Sequence, residues 1–155
     1  MLTVNIADNK SFMNKLLREN VFDDFEVRKV EVQTFTHFEI SGIIDKNFYT
    51  IEEQENIKRN FCLWSEVKPV VFNLIKGNKL PRFIKIVFSL GEEKMSQLSE
   101  NAAALFLNVS FENNVIMCMT GSSQKNFSLD KSVDIAWEEY VSEFLKSNEV
   151  LYSKQ

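Results

Sequence analysis

Residues 76–90, Lys76-Gly-Asn-Lys-Leu-Pro-Arg-Phe-Ile-Lys-Ile-Val-Phe-Ser-Leu90, contain the end of a predicted helix and the start of a predicted strand. Gly77 suits the left-handed conformation that closes a helix, and Pro81 prevents the helix from resuming. From Ile84 onward, apolar side chains occupy every second position, which is the period of a β-strand. The stretch therefore predicts a helix–turn–strand joint in the middle of the chain.

The same joint is the electrostatic outlier of the sequence. Residues 58–85 hold seven basic side chains and one acidic one, whereas the whole chain carries a net charge of −4. Four of the basic residues fall within the joint, namely Lys76, Lys79, Arg82 and Lys85. Such a cluster can bind a phosphate group or a nucleic-acid backbone, and the alternative is a solvated surface that offsets the acidic remainder. Side chains alone would hold the anion, because a helix C-terminus carries negative partial charge.

The first residues of the chain predict a strand followed by a helix. Leu2, Val4 and Ile6 alternate with polar residues, and Asp8 is placed to cap a helix over roughly residues 9–19. Residues 45–63 are polar and acidic at first, which fits a short helix or an exposed loop. This part of the chain therefore predicts a helix over residues 9–19 that packs its apolar stripe against the core.

Residues 25–34 predict a strand whose alternation changes phase near Arg28-Lys29. A change of phase indicates a bend or a β-bulge, because a shift of one residue moves every side chain to the other face. Another strand follows over residues 36–42, after a turn near residues 34–36.

Two further helices are predicted. The first covers residues 64–76 with Ser65 as its cap, and the last covers residues 133–145 with Ser128 or Asp130 as its cap. A hairpin lies between them: residues 105–111 and 115–120 alternate in the strand period, and Glu112-Asn-Asn114 forms the turn. Residues 91–100 predict a loop with a helical turn.

Strands mixed with helices at the start, middle and end of the chain predict an α+β fold. We expect a single globular domain over residues 1–155, with a bent, mainly antiparallel sheet of five to six strands and about three helices on one side. No low-complexity linker or internal repeat suggests a second domain.

The composition predicts a cytoplasmic protein. No signal peptide and no apolar run long enough to span a bilayer occur in the sequence. Cys62 and Cys118 lie far apart, without the spacing of metal ligands, and are expected to be buried free thiols, with a disulfide as the alternative. We expect no cofactor and no metal site.

Several short motifs together resemble a known family. They are Asp8-x-x-x-Phe-Met-Asn-Lys-Leu-Leu17, Phe22-Asp-x-Phe25, Thr34-Phe-x-x-Phe-x-Ile-x-Gly42, Ile75-Lys-Gly77 with Pro81, Thr120-Gly-x-Ser123, and Leu129-Asp-Lys-Ser132 with Trp137. The set resembles a domain of unknown function found in small proteins of low-GC Gram-positive bacteria, and the resemblance covers nearly the whole chain. One departure is Glu138 after Trp137, where Asp is expected in relatives. The resemblance implies no activity, cofactor or partner.

Two other places could carry chemistry. Thr120-Gly-Ser-Ser123 presents hydroxyl and backbone N–H groups to an anion, with Ser122 and Ser123 as candidate ligands; the alternative is a strand end that leads into a loop. His37 is the only histidine, and Glu39 on the same strand face could orient it as a general base, with Cys62 or Ser41 as nucleophile. The alternative for His37 is an exposed polar position.

No strong catalytic motif occurs, so the leading prediction is a non-enzymatic binding domain, or one that self-associates as a homodimer. If helices cover one side of the sheet only, the apolar residues on the other side form a patch that needs a partner. These residues are Phe35, Phe83, Val87 and Phe106. The alternatives are an anion- or nucleic-acid-binding module at the basic joint and a small enzyme that uses His37.

Overall fold

Seven strands form one antiparallel sheet in this computed structural model, which describes residues 1–77 and 79–155. The strands and helices are β1 (Thr3–Ile6), α1 (Asn9–Leu17), β2 (Glu26–Gln33), β3 (His37–Ser41), α2 (Ile51–Gln54), α3 (Trp64–Ile75), β4 (Phe83–Ser89), α4 (Glu92–Leu98), β5 (Ala102–Glu112), β6 (Val115–Gln124), α5 (Ser132–Ser147) and β7 (Tyr152–Lys154), with a 3-10 turn at Lys46–Phe48. Their order across the sheet is β3-β2-β4-β5-β6-β1-β7. Asn78 of the basic joint lies outside the described residues.

The predicted α+β class with an antiparallel sheet is confirmed, but the element counts were too low. Residues 1–77 and 79–155 form seven strands rather than five to six, and five helices rather than about three. The missed strand, β7, spans three residues and pairs with β1. Periodicity cannot detect so short a strand, because tertiary pairing rather than local pattern orders it. The additional helices α2 and α4 have four and seven residues, and the sequence predicted no more than short or irregular structure there.

The three longer helices meet the sheet through one aromatic cluster. The ring of Phe88 on β4 lies 5.6 Å from that of Phe22 and 5.3 Å from that of Trp64 on α3. Phe22 in turn contacts Phe12 of α1 and Phe144 of α5, each with 5.4 Å between ring centroids. Edge-to-face and offset-stacked pairs of this kind add to the free energy of apolar burial. The core therefore lies between this face of the sheet and the helices.

Each tryptophan ties a helix to a neighbouring element. Trp64 Nε1–H donates to the carbonyl of Leu16 at 2.7 Å and so joins α3 to α1. Trp137 Nε1–H donates to the carbonyl of Phe106 at 2.8 Å and so joins α5 to β5. Both side chains are fully buried, and a buried indole N–H needs such an acceptor.

The two backbone irregularities expected from the sequence are present. The register of β2 against β4 shifts between Val27 and Lys29, which confirms the bulge at Arg28. The β5–β6 hairpin closes through Asn113 and Asn114, both at positive φ (53° and 62°). Two positive-φ residues form the turn whose twist matches a hairpin, and asparagine adopts that conformation readily.

The helix caps follow the sequence only in part. Asp8 caps α1, as predicted, by accepting from the N–H of Ser11. The cap of α3 is Leu63 instead of Ser65: the Glu66 carboxylate accepts from the Leu63 N–H at 2.8 Å, since a helix begins wherever its free N–H groups find an acceptor.

The last helix also begins one residue away from its expected cap. The residue at the cap position of α5 is Lys131, and Asp130 accepts from the N–H of Ser132 at 2.9 Å. Asp130 therefore supplies an acceptor without occupying the cap position itself.

The second face of the sheet is less apolar than expected. Phe83, Val87 and Phe106 are partly buried on this face, but Phe35 is 91% exposed in the β2–β3 turn and does not belong to it. The ammonium nitrogen of Lys85 lies 4.9 Å from the centroid of the Phe83 ring and interrupts the apolar surface. Among the described residues, no helix is long and apolar enough to cross a membrane.

Candidate ligand-binding cleft

A cleft of about 980 Å³ opens at one end of the sheet. Its walls are the start of β2, the segment 58–63 and the first turn of α4. The charged residues that line it are Asp24, Glu26, Arg28, Lys58, Arg59, Glu92, Glu93, Lys94 and Lys125. A concave site of this size, with several charged groups of both signs, is suited to a small polar molecule.

The bulge in β2 and a close backbone approach build the inner wall. The N–H of Val27 donates to the carbonyl of Cys62 at 2.8 Å, and the N–H of Cys62 donates to the carbonyl of Gly42 at 2.7 Å. A Cβ atom on residue 42 would lie 1.6 Å from the Val27 carbonyl oxygen, so this approach requires glycine. The segment around Cys62 therefore continues the sheet beside β2, where β3 has ended.

Arg28 is anchored at this wall by one hydrogen bond and two aromatic rings. Its Nε–H donates to the Ser89 hydroxyl oxygen at 3.0 Å. Its guanidinium carbon lies 3.9 Å from the centroid of the Phe61 ring and 5.3 Å from that of Phe106. Neither terminal amino group donates to an acceptor in the part of the chain that the structure describes. Burial lowers the pKa of Arg28, and the nearby Glu26 opposes that effect.

Glu26 is the second unusual group in the cleft. It takes part in no ion pair among residues 1–77 and 79–155. Partial burial raises the pKa of Glu26; Arg28 and Arg59 oppose the rise, and Glu92 adds to it. A Cβ atom on residue 91 would lie 3.3 Å from Glu26 Oε2, so Gly91 leaves room for this carboxylate. A partly buried carboxylate that forms no ion pair with a neighbouring cation is poised to accept a hydrogen bond from a ligand.

Arg59, in contrast, is a structural cation. Its two terminal nitrogens lie 2.8 Å and 3.2 Å from the two carboxylate oxygens of Glu66, and it also donates to the carbonyl of Phe61 at 3.0 Å. The pair raises the pKa of Arg59 and lowers the pKa of Glu66. Arg59 therefore fixes the segment that carries Phe61, and Phe61 in turn positions Arg28.

The basic joint does not reach this cleft. Lys76, Lys79, Arg82 and Lys85 are all exposed, and none of them lines it. Arg82 and Lys85 flank Phe83, with 6.0 Å and 4.9 Å from their cationic centres to its ring centroid. Anion binding by these four residues stays a prediction.

The other predicted anion ligands, Ser122 and Ser123, lie on β6, where it pairs with the start of β5. Ser123 pairs with Ala104, whereas Phe83 pairs with Glu112. At ~3.4 Å per residue, the two ends of the strand are about 27 Å apart, so the serines and the basic joint cannot hold one small ligand. Ser122 donates its hydroxyl hydrogen to the carboxylate of Asp134, and a neighbouring carboxylate disfavours an anion there.

His37 makes the predicted contact with Glu39, at 3.4 Å from Nε2 to Oε1, and Gln33 lies 3.0 Å from its Nδ1. One ligand atom each from Glu31, His37 and Glu39 lies within 4.8 Å of the others, an arrangement that a metal ion could use. Lys29 already occupies the two carboxylates, at 2.8 Å from Glu31 and 3.6 Å from Glu39.

The proposed partner thiol of His37 is remote from it. The Cys62 N–H donates to the carbonyl of Gly42, whereas His37 is the first residue of β3. The five residue steps from His37 to Gly42 span about 17 Å. Burial is the main cause that raises the pKa of Cys62, which makes its thiol a weak nucleophile at neutral pH.

Sequence reasoning missed both Arg28 and Glu26. It located the bulge at Arg28-Lys29 but assigned no role to the side chain of Arg28, which the bulge displaces. The available signal was a basic residue at a break of strand phase, because bulges often redirect a side chain toward a functional site.

Residues 15–153 match the family described as "Family of unknown function (DUF5721)". The chain belongs to the DUF5721 family. No curated protein and no solved structure matches this DUF5721 member. The match confirms the expected domain of unknown function, and it supplies no ligand or reaction, so the case for function rests on the cleft.

Proposed function

We propose that this protein is a non-catalytic binding protein and that its cleft takes a small ligand with a carboxylate or similar oxyanion. The observation that carries the proposal is the fixed guanidinium of Arg28, whose terminal amino groups are left without an acceptor among the described residues. A guanidinium offers two parallel N–H groups that match the two oxygens of a carboxylate.

The surroundings of Arg28 favour binding by preorganisation. Ser89 and the rings of Phe61 and Phe106 already restrict its side chain. A ligand therefore does not have to immobilise a flexible cation, and the entropic cost of binding is smaller. The rings also displace water from the guanidinium faces, which strengthens its interaction with an anion.

Glu26 narrows the class of ligand further. A simple anion beside Arg28 would be repelled by the Glu26 carboxylate, whereas a ligand that also carries an ammonium or hydroxyl group would donate to it. The pair therefore favours a molecule with both an oxyanion and a hydrogen-bond donor, as in a free amino acid.

The test is a titration of the isotope-labelled protein with the standard amino acids, and with acetate, propionate and butyrate as simple carboxylates. We expect saturable amide shifts confined to cleft residues for one or more amino acids, and weaker shifts for the simple carboxylates. Arg28→Lys keeps the charge but loses the planar fork, and it should weaken binding about tenfold. Glu26→Gln should weaken the binding of amino acids, and it should leave the binding of simple carboxylates unchanged or strengthen it.

Lys146→Ala is the matched control, because it removes an exposed cation that does not line the cleft. Equal binding by the Arg28→Lys variant, or shifts that lie outside the cleft, would contradict the proposal.

Self-association is the second candidate, and the sheet face that carries Phe83 and Val87, opposite the core, is the observation that favours it. Phe83 and Val87 are partly exposed there, so a second copy could bury them. We propose that such a dimer would form face to face, and that Val87→Lys would abolish it. Sedimentation at high concentration that detects monomer alone would remove this candidate. We also propose a low-GC Gram-positive bacterial origin, which rests on the sequence motifs, and a cytoplasmic location, which rests on the composition and the free thiols.

A further inference from the structure

A second cavity, of about 430 Å³, lies between α1 and α3 where β4 begins. Its apolar lining includes Leu17 from α1, and Phe72 and Ile75 from the last turn of α3. It also reaches Ile84 and Phe111, which are only 3% and 9% exposed and belong to the core. This crevice is therefore an opening from the surface into the hydrophobic core.

The rim of the crevice is positively charged. Lys10, Arg18 and Lys76 line it, and no carboxylate does so among the described residues. The guanidinium carbon of Arg18 lies 5.8 Å from the centroid of the Phe72 ring, so one cation is placed directly above the apolar wall. In a chain with a net charge of −4, a crevice with three cations and no acid is a local exception.

These two features select one kind of ligand. An apolar crevice rejects a polar molecule, because burial of polar groups without partners is unfavourable, and it accepts an aliphatic chain. The cations hold an anionic head group at the entrance. The carbonyl groups at the end of α3 carry negative partial charge, so the head group must bind through the lysine and arginine side chains.

We propose that the crevice between α1 and α3 binds a single-chain amphiphile with a carboxylate head group, such as a medium-chain fatty acid. Its hydrocarbon chain lies against Phe72 and Ile84, and its carboxylate lies among Lys10, Arg18 and Lys76. The crevice shares no lining residue with the Arg28 cleft, so this second site is independent of the first.

The site also gives a role to part of the basic joint. Lys76 belongs to the rim, whereas Lys79, Arg82 and Lys85 do not line the crevice. The cationic cluster that stands out in the sequence is therefore divided in space. Lys76 acts with Lys10 of α1 and with Arg18 directly after α1, both more than fifty residues earlier in the chain.

The experiment is a titration with decanoate below its micelle-forming concentration, followed by amide shifts and calorimetry. Decanoate should bind saturably at the crevice. Acetate should cause no shifts at the crevice because it lacks the hydrocarbon chain, and decylammonium should cause none there because the positive rim repels it. The double variant Arg18→Ala, Lys76→Ala should lose about tenfold in affinity, as expected for charge-assisted contacts.

Leu80→Asp supplies a variant that should not disturb folding, because Leu80 lines the crevice and is 72% exposed. It places a negative charge at the entrance and should also weaken decanoate binding about tenfold or more. Lys146→Ala is the control and should leave decanoate binding unchanged, because Lys146 lines neither the crevice nor the cleft.

Decylammonium binding as tight as that of decanoate would overturn the proposal, as would full affinity in the Leu80→Asp variant or shifts spread over the sheet face that carries Phe83 and Val87. No detectable decanoate binding by the wild-type protein would overturn it as well. A positive result for amino acids in the cleft would not rescue it, since the two sites have separate variants.

Discussion

The guanidinium carbon of Arg28 lies 3.9 Å from the centroid of the Phe61 ring. The two residues are 33 positions apart in sequence, and they meet because the segment around Cys62 is hydrogen-bonded alongside the bulge of β2. This contact turns a flexible surface arginine into a fixed group at the wall of the cleft.

The first prediction concerns that contact. Phe61→Leu should weaken amino-acid binding about two- to fivefold, because a cation–π contact at a partly exposed site contributes about 0.5–1 kcal/mol. The Arg28 Nε–H should also exchange faster with solvent, and NMR measures this without any ligand. Phe48→Leu is the control, since Phe48 is 84% exposed and does not line the cleft. Unchanged exchange in the Phe61→Leu variant would show that the ring does not restrain Arg28.

The second prediction is a pH dependence of stability. Burial raises the pKa of Glu26 in the folded protein, so folding is penalised as pH rises from the unfolded pKa through the folded one. Glu26→Gln removes the penalty and should raise Tm at pH 7 by about 1–2 °C. The gain in Tm should vanish below pH 4.5, which is the ordinary pKa of a glutamate side chain. Thermal unfolding from pH 3 to 8 measures it, with the exposed Glu139→Gln as control for the loss of one charge. A gain that grows on acidification would contradict the argument.

The third prediction concerns Gly42. An alanine there would place its Cβ 1.6 Å from the Val27 carbonyl oxygen, so Gly42→Ala should destabilise the protein by more than about 3 kcal/mol. Gly121→Ala is the matched control on the same sheet, since its nearest contact would be an ordinary 3.8 Å. Urea unfolding compares the two. Similar midpoints for both variants would mean that the backbone at Gly42 can move away.

The fourth prediction concerns the hydrogen bond between α3 and α1. Trp64→Phe removes the Nε1–H that donates to the Leu16 carbonyl and leaves a buried acceptor without a partner. The expected loss in free energy of unfolding is about 2–3 kcal/mol, from the missing bond and the smaller ring. Trp64→Leu loses the same bond and more volume, so it should be less stable still. A Trp64→Phe variant as stable as the wild type would show that the bond contributes little.

The fifth prediction separates the two thiols. Burial raises the pKa of Cys118 to about 12, so a thiol reagent should not modify it in the folded protein at pH 8. Cys62 is partly exposed and should react slowly. Mass spectrometry after partial labelling identifies the modified residue, and full labelling of both in urea is the control. Modification of Cys118 ahead of Cys62 would be incompatible with its burial.

Local pattern predicted the features that depend on neighbouring residues. The phase change at Arg28-Lys29 located the bulge, and the two asparagines after Glu112 located the hairpin turn. Both follow from the period of two in a strand, which any window of a few residues reveals. The caps of α3 and α5 were less predictable, because several acceptors near a helix start compete for the same N–H groups.

The candidate sites depend on residues that are distant in sequence, and no local pattern identifies them. In the sequence, Arg28 marks only a break in the alternation of β2, and Phe61 lies in a segment without a clear secondary-structure pattern. Lys76 belongs to the basic joint, but its partners at the crevice, Lys10 and Arg18, lie on α1 and directly after it.

By itself, the sequence determined the α+β class, most strands, the three longer helices, the bulge and the membership of a family of unknown function. These depend on periodicity, turn residues and short motifs, which are local properties of the chain. The tertiary structure alone decided that β7 joins the sheet, that Phe61 covers Arg28, and that an apolar crevice opens beneath Lys76. The physical reason is that strand pairing, stacking and cavity shape arise from packing between distant segments, and a linear pattern does not encode which segments meet.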